Sequence, residues 1–324
     1  MKSFSNKPFF KVLLIFLGFI LGTIFSNLRY KKDYIFKEIR KESTFNFISP
    51  LLECDSSISE NKQSINLKKN LQTIVDENTQ KGNIEIASIY YRDLNNGPWI
   101  GINEKEKFIP ASLIKIPTMI AYFKEAEENP QILSQKITYQ QNIDFIQQQN
   151  YPPEQSIQKD QEYSIEELIE KMIVYSDNAS YKLLLANINK KIFLQTFKDL
   201  GINNNLSLNQ NDENFITVKD YASFFRVLYN ASYLNEYLSE KALYLLSQST
   251  FKDGLVKPLP SNIIISHKFG ERAFFDYNQK QLHDCGIIYK NSNPYLLCVM
   301  TKGKNFEKLT KIIQDISLTV YNSQ

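Results

Sequence analysis

The stretch PASLIK at residues 110–115 decides how this chain is interpreted. A proline suits the start of a first helical turn, so the stretch predicts a helix N-terminus just ahead of Ser112. Ser112 and Lys115 are three residues apart and therefore share one face of that helix. A serine becomes nucleophilic when a neighbouring base takes its proton, and a lysine is such a base once burial or another cation lowers its pKa. Alone the pattern is weak, because a capping serine and a solvated lysine give the same spacing.

Two further motifs follow in order, SDN at residues 176–178 and KFG at residues 268–270. SDN lies where one predicted helix ends and an apolar helix begins, so by itself it is also a good turn and N-cap. KFG ends a strand whose apolar run at residues 263–265 is typical of a central strand. The ordered triple is specific although each motif alone is not.

The triple resembles the class A β-lactamases and penicillin-binding proteins, which carry S-x-x-K, S-D-N and K-T-G. The resemblance covers about residues 60–324 and implies a serine hydrolase with its active site between two lobes. The expected substrate is a small β-lactam or a D-alanyl peptide that acylates Ser112. The implied roles are Lys115 as general base, Ser176 as proton relay to the leaving nitrogen, Asn178 as ligand of the substrate amide carbonyl, and Lys268 as the site for the substrate carboxylate.

The resemblance also implies roles for the end of the KFG strand. The backbone N–H groups of Ser112 and Glu271 would form the oxyanion hole. Gly270 would let the substrate backbone approach closely. Phe269 departs from the family, which has a hydroxyl there, so we expect a lost hydrogen bond to the carboxylate and added bulk at the mouth of the cleft. Arg272 is the nearest residue in sequence that could supply compensating charge.

A second departure concerns hydrolysis of the acyl-enzyme. Class A enzymes use a glutamate in an E-x-x-L-N loop, and the matching stretch here, residues 201–216, is short. If Leu208 and Asn209 end that motif, Asn205 occupies the glutamate position. Glu213 is then the possible deacylation base, with a solvated loop charge as the alternative. Two other functions stay open: a D-alanyl-D-alanine peptidase-like enzyme with poor β-lactam turnover, and a catalytically silent, membrane-tethered binding module.

Periodicity and capping signals predict the fold independently of the motifs. A helix is expected over residues 64–79, strands over 84–93 and 97–103, and a mostly helical stretch over 112–249. Capping signals at Ser164 and Thr217 mark two helix starts within that stretch. Strands over 263–270, 282–290 and 295–303 and a helix over 306–321 follow. The sequence therefore predicts an α+β fold, a five-stranded antiparallel sheet flanked by terminal helices, with an inserted all-helical lobe.

The first 25 residues predict export. Lys2, Lys7 and Lys11 precede or interrupt an apolar run that reads VLLIFLGFILGTIF at residues 12–25. The run is short for a membrane span, yet no small-x-small cleavage site follows it, which favours an uncleaved signal-anchor over a cleaved signal peptide. Residues 26–59 would form a juxtamembrane stalk. We therefore expect a catalytic domain, residues 60–324, outside the cell membrane.

Composition excludes several other classes. A net charge of +3 without an aromatic-interleaved basic run argues against nucleic-acid binding. Two histidines and three cysteines lack metal-ligand spacing, so no metal or organic cofactor is expected, and a monomer is the expected state. His283 and Cys285 share a strand face and His267 precedes Lys268; we expect all three to be packing residues. Tyr151, in a YPP loop, is a candidate for a wall of the cleft.

Overall fold

The structure, a computed structural model, describes residues 16–21, 23, 34–40, 44–58, 62–95, 99–140, 149–200, 215–274, 278–290 and 293–324. Its strands are β1 Tyr34–Arg40, β2 Leu51–Ile58, β3 Ile86–Asp93, β4 Trp99–Ile102, β5 Lys107–Phe108, β6 Lys136–Thr138, β7 Glu162–Ser164, β8 Ile216–Thr217, β9 Ile264–Phe274, β10 Gln279–Tyr289 and β11 Tyr295–Gly303. Its longer helices are α1 Lys62–Gln80, α2 Lys115–Glu128, α3 Ile165–Val174, α4 Asn178–Asn187, α5 Lys190–Asp199, α6 Val218–Tyr229, α7 Glu236–Ser247 and α8 Phe306–Asn322. Short 3-10 helices cover Ala111–Ile114 and Pro130–Ser134.

The main sheet has the strand order β4-β3-β11-β10-β9, and every neighbouring pair is antiparallel. This confirms the predicted five-stranded sheet and the α+β class. Strand β9 lies at one edge and pairs only with β10 among the described strands. Smaller two-stranded pairs join β5 to β8 and β6 to β7.

Side chains of the central strands alternate between two hydrophobic layers, as the two-residue period of a strand requires. On β10, Cys285 and Ile287 pack in the layer under the helical lobe formed by α2 to α7. Leu282 and Ile288 pack in the other layer, against the terminal helices α1 and α8. The sheet is therefore buried on both faces, and its edge is where β9 meets the helical lobe.

The predicted helix starts are confirmed by their caps. Ser164 Oγ accepts a hydrogen bond from Glu167 N at 3.2 Å, and the Glu167 carboxylate accepts one from Ser164 N at 2.7 Å. This reciprocal pair is the capping box that the sequence indicates. The Thr217 hydroxyl also caps α6, because its Oγ1 accepts a hydrogen bond from Asp220 N at 3.1 Å. The helical lobe thus owes its helix starts to local sequence.

The predicted stalk contains structure that the sequence analysis did not anticipate. The backbones of β1 and β2, within residues 26–59, pair as an antiparallel hairpin. After β1, residues 44–49 lie against the helical lobe; we call this segment the strap. The backbone N–H groups of Asn46, Phe47 and Ile48 donate to the Glu240 carboxylate at 2.7, 2.8 and 3.0 Å. Ile48 itself is buried in the helical-lobe core.

Most of the predicted export segment lies outside the described residues. Residues 16–21 and 23 are helical. Among the residues that the structure describes, no helix combines the length and the apolar character needed to cross a membrane.

The hydrogen bonds from the strap to Glu240 should contribute measurably to the stability of the fold. Replacing Glu240 with alanine leaves three backbone donors without their shared carboxylate, so we expect the free energy of unfolding to fall by about 2 kcal/mol. Chemical denaturation of the wild type and of Glu240→Ala measures the difference. Glu170→Ala, the same change at an exposed position on α3, is the matched control. Equal stability of the two variants would show that the strap contributes nothing.

Candidate active site

The turn that carries Ser112 is a 3-10 helix over Ala111–Ile114 that continues into α2 at Lys115. Pro110 occupies its N-cap with φ −64°, as expected for a proline at this place. Ala111 has a φ of +49°, in the left-handed region that non-glycine residues rarely adopt. Such a conformation costs roughly 1–2 kcal/mol. Surrounding contacts must therefore hold this turn, and the half-buried Ser112 with it.

The contacts that hold the serine turn come from β9 and β10. A Cβ atom at Gly270 would lie 2.9 Å from the Pro110 carbonyl oxygen, so only glycine permits this approach. His283 Nε2 donates to the Ile109 carbonyl at 3.0 Å, and Gln281 Oε1 accepts from Ile109 N at 3.2 Å. In this structure the backbone that Gly270 admits is the serine turn of this chain, and the approach of a substrate backbone stays a prediction.

His283 is a neutral packing histidine with a defined tautomer. Thr301 N donates to its Nδ1 at 3.3 Å, which leaves the proton on Nε2. Burial lowers the pKa of His283 to about 4. A neutral imidazole can therefore brace the serine turn across the physiological pH range without changing charge.

Lys115 points into the lobe interface and is almost completely buried. Its Nζ donates to the Ser176 carbonyl at 2.6 Å, to Ser176 Oγ at 3.2 Å and to Asn178 Oδ1 at 2.8 Å. This amine therefore connects the start of α2 to the SDN turn and the start of α4. Within the described part of the chain, the Ser112 hydroxyl is not a member of this hydrogen-bonded cluster.

Lys268 reaches the same serine from β9. Its Nζ donates to Ser176 Oγ at 2.8 Å and to the Phe269 carbonyl at 3.2 Å, and the side chain is fully buried. The Ser176 hydroxyl therefore lies between the amines of two lysines. Ser176 holds a φ of +58°, a second strained residue at the site.

Electrostatics disfavours two ammonium ions around one buried hydroxyl. Burial lowers the pKa of Lys115 to about 7, against the opposing effect of the Asp177 and Glu271 carboxylates. Burial also lowers the pKa of Lys268 well below its usual range, and the neighbouring Lys115 lowers it further. An amine that is neutral near pH 7 can accept a proton, so the pair is suited to proton transfer.

The Asp177 carboxylate braces the loop that precedes α4. Its carboxylate caps α4 through Ser180 N at 2.9 Å and accepts from Ser156 Oγ at 2.6 Å. Ser156 belongs to residues 149–157, which we call the bridging loop. At its other end, Tyr151 N donates to the Glu271 carboxylate on β9 at 2.8 Å. The loop thus connects the Asp177 side of the site to the β9 side.

Phe269 does not add bulk at the mouth of the cleft, contrary to expectation. Its ring is 5% exposed and stacks on Phe251, with ring centroids 4.0 Å apart. Tyr151 meets both rings edge-on, and its hydroxyl is 2.9 Å from Thr310 Oγ1. The physical reason is strand alternation: Phe269 follows Lys268 and so turns to the opposite face, into the layer packed against α8.

Glu271 and Arg272 continue β9 beyond Gly270. Burial raises the pKa of Glu271, while hydrogen bonds from the backbone of Tyr151 and Asn150 act in the opposite direction. Arg272 is exposed, and its guanidinium carbon lies 5.5 Å from the centroid of the Phe274 ring. This contact does not direct the Arg272 side chain toward Lys268. Glu213, the predicted deacylation base, lies outside the described residues, as do Asn205, Leu208 and Asn209.

The remaining titratable residues on the sheet have packing partners. His267 Nδ1 lies 2.9 Å from Asp284 Oδ1 on the face opposite to Lys268, as the alternation predicted. Cys285 is opposite Cys298 in the strand register, and both are free, buried thiols. Burial raises the pKa of the Cys285 thiol, so the group stays protonated at neutral pH.

A family description, the β-lactamase enzyme family, matches residues 66–324, the whole region that carries the sheet, the helical lobe and the site. The chain belongs to this family. No curated protein matches it in sequence. Ser112, Lys115, Ser176 and Lys268 all lie within the matched residues.

Solved structures agree with this fold. A variant of PBP-A in an acyl-enzyme complex with penicillin G is 21% identical, covers 80% of this chain and 96% of its own, and has a TM-score of 0.66. A β-lactamase from Sphaerobacter thermophilus is 19% identical, with coverages of 79% and 96% and a TM-score of 0.66. A class A β-lactamase from Mycobacterium abscessus is also 19% identical, covers 79% and 98%, and has a TM-score of 0.65. At these identities the likeness establishes the fold.

Sequence reasoning missed how several residues shape the site. His283 was expected only to pack, and Gln281 and Phe251 belong to none of the three motifs. The close approach of Gly270 to Pro110 also had no local signal, because it joins two segments that are far apart in the chain. Tyr151 did carry a sequence signal, because the two prolines that follow it predicted a loop beside the cleft.

The lowered pKa of Lys115 predicts a pH dependence for Ser112. The neutral amine is the base, and it predominates above pH 7, so covalent labelling of Ser112 should accelerate as the pH rises through about 7 and then level off. Rates of labelling with a serine-directed fluorophosphonate between pH 5 and 9 measure this. Lys115→Met should abolish labelling, whereas Lys190→Met, at an exposed position on α5, should leave it unchanged. A flat profile would contradict Lys115 as the base.

Proposed function

We propose that this chain is a serine hydrolase that cleaves amide bonds through an acyl-enzyme on Ser112. One observation carries the proposal: the Ser176 hydroxyl bridges the amines of two buried lysines. Removing two amines from water is unfavourable for stability. Titratable groups with strongly shifted pKa values cluster at functional sites because catalysis needs them. The neighbouring Ser112 supplies the nucleophile for such a proton-transfer pair.

Acylation follows from the arrangement. Lys115 removes the Ser112 hydroxyl proton as the Oγ atom attacks the amide carbonyl carbon, and a C–O bond forms. The oxyanion is held by the backbone N–H groups of Ser112 and Glu271, where each such donor is worth roughly 3 kcal/mol. Ser176 gives its hydroxyl proton to the nitrogen as the C–N bond breaks, and it regains a proton from the Lys115 ammonium, to which it is hydrogen-bonded. The amine leaves, and the acyl group remains as an ester of Ser112.

Substrate orientation is assigned to Asn178. Its Oδ1 accepts from Lys115, which leaves the Nδ2 amide hydrogens as donors. In the described part of the chain they have no protein acceptor. A substrate amide carbonyl is the complementary group, in agreement with the role that the resemblance implied for this residue.

Hydrolysis of the ester requires a water molecule and a base for its proton. Glu213 is the proposed base, and its water attacks the ester carbonyl to release the acid and regenerate Ser112. If Glu213 is not the base, the acyl-enzyme persists, which is the behaviour of the peptidase-like alternative.

The Ser112 adduct is the direct test. Full-length protein incubated with penicillin G should gain the mass of one penicillin on Ser112, and Ser112→Ala should gain none. Intact-protein mass spectrometry over time follows both formation and loss of the adduct. Loss of the adduct together with accumulation of penicilloic acid supports a β-lactamase. In that case Glu213→Gln should lengthen the lifetime of the adduct at least tenfold. A persistent adduct in the wild type supports the D-alanyl-D-alanine peptidase-like alternative.

The silent binding module is the less favoured function. A module that only binds gains nothing from two buried lysines on one hydroxyl, because their burial is unfavourable and, among the described residues, neither lysine forms an ion pair with a carboxylate. Absence of any adduct with penicillin G and with a fluorophosphonate would favour it over the hydrolase.

We also infer that the chain is anchored in the cell membrane by residues 1–25, with its catalytic domain on the outer side. The support is the lysine-flanked apolar run and the absence of a cleavage signal. Replacing Leu17 and Phe19 with glutamate should release the protein from washed membranes, as immunoblotting of the two fractions would show. Equal membrane retention of this variant and of the wild type would contradict the anchor.

A further inference from the structure

The residue that precedes the serine turn is held on both sides by β10. His283 Nε2 donates to the Ile109 carbonyl oxygen at 3.0 Å, and the Ile109 N–H donates to Gln281 Oε1 at 3.2 Å. His283 and Gln281 are two residues apart on the strand, so their side chains lie on the same face of the sheet. Both side chains are buried, and water therefore does not compete readily for either bond.

The position of Ile109 is passed along the chain to Ser112 with little freedom. The Pro110 ring restricts the next φ angle, which is −64°. The Pro110 carbonyl oxygen is fixed in turn, because it accepts a hydrogen bond from Leu113 N at 3.0 Å. Only the dihedral angles of Ala111 then separate a fixed peptide from the backbone N–H of Ser112.

Ala111 is the residue at which the turn can relax. Its φ of +49° lies in the left-handed region, which is unfavourable for a residue with a Cβ atom. A return of Ala111 to negative φ would move the hydroxyl and the backbone N–H of Ser112 together. The strained conformation therefore depends on the peptide before it staying in place.

His283 is itself fixed from the neighbouring strand. Thr301 N on β11 donates to His283 Nδ1 at 3.3 Å, and the Phe108 ring meets the imidazole edge-on with ring centroids 5.4 Å apart. The imidazole thus connects β11 to the serine turn through two different ring nitrogens. Each of these two bonds can be removed on its own.

From this geometry we propose that His283 is a positioning residue for the acylation of Ser112. It acts through the Ile109 carbonyl, with Gln281 as its partner on the same residue, and keeps the Ser112 hydroxyl and N–H in place for the acyl donor. Without the bond to Ile109 the turn relaxes at Ala111, so the covalent step slows while binding of the acyl donor is retained. The inference rests on the proposed function, because it needs Ser112 to be the nucleophile.

Two replacements separate the two bonds of His283. The amide nitrogen of glutamine reaches about as far as Nε2 and can still donate to Ile109. The shorter asparagine keeps only an acceptor near the Nδ1 position, for Thr301 N.

The measurement is the rate of Ser112 labelling by a fluorophosphonate on the full-length protein, as a function of reagent concentration. We expect His283→Asn to lower the maximal rate roughly tenfold or more, because a displacement of about 1 Å can slow a reaction about 100-fold. His283→Gln should stay within about threefold of the wild type. The half-saturating concentration should change by less than about twofold in both variants, because only the covalent step depends on the position of Ser112.

Two further variants control the comparison. Ser317→Ala removes another buried hydrogen bond, from Ser317 Oγ to the Leu255 carbonyl at 2.8 Å, which lies outside the site. Its labelling rate should equal that of the wild type, so a general loss of stability is distinguished from a loss of position. Gln281→Met removes the second bond to Ile109 and should slow labelling roughly threefold or more; it tests the proposal even where His283→Asn does not fold.

The outcomes are distinguishable. A wild-type rate in folded His283→Asn, or in Gln281→Met, overturns the positioning role and leaves the proposed function intact. Equal losses in His283→Asn and His283→Gln also overturn it, because the bond to Ile109 would then not decide the rate. A wild-type protein whose Ser112 is modified by neither the fluorophosphonate nor penicillin G overturns the proposed function, and the positioning role with it.

Discussion

The hydroxyl of Ser176 between two lysine amines is the interaction on which the site depends. Lys115 comes from the helical lobe and Lys268 from the edge of the sheet, so this one hydroxyl joins the two lobes. Both amines are buried, and among the described residues neither is hydrogen-bonded to a carboxylate. Burial lowers the pKa of both amines, so the neutral form of one of them is favoured, and a neutral amine can accept a proton.

Other contacts in the fold fix the position of the serine turn relative to that cluster. Gly270 lets β9 approach the serine turn, and His283 and Gln281 hold the turn from β10. These contacts hold the strained Ala111, and hydrogen bonds from Lys115 and Lys268 hold the strained Ser176. The sheet therefore influences the site by fixing the position of the backbone that carries Ser112. The bridging loop connects the Asp177 side of the site to Glu271 on β9.

Departures from the family pattern change the substrate side more than the catalytic side. Ser112, Lys115 and Ser176, the proposed nucleophile, base and relay, all lie at the lobe interface. In contrast, the position of the expected carboxylate ligand holds Phe269, which packs inward, and the next strand residue after Gly270 is an acid.

The sequence by itself determined the elements and the motifs. Apolar periodicity predicted α1, α8 and the three C-terminal strands to within a few residues, and the capping signals at Ser164 and Thr217 predicted the helix starts, because these signals act between residues close in the chain. It did not predict the hairpin of β1 and β2, the docking of the strap on Glu240, or the inward packing of Phe269. Nor could it show that Gly270 admits the serine turn, or that two lysines meet at Ser176. Those features join segments that are far apart in sequence, so only the packing of the sheet against the helical lobe, with its burial and close approach, decided them.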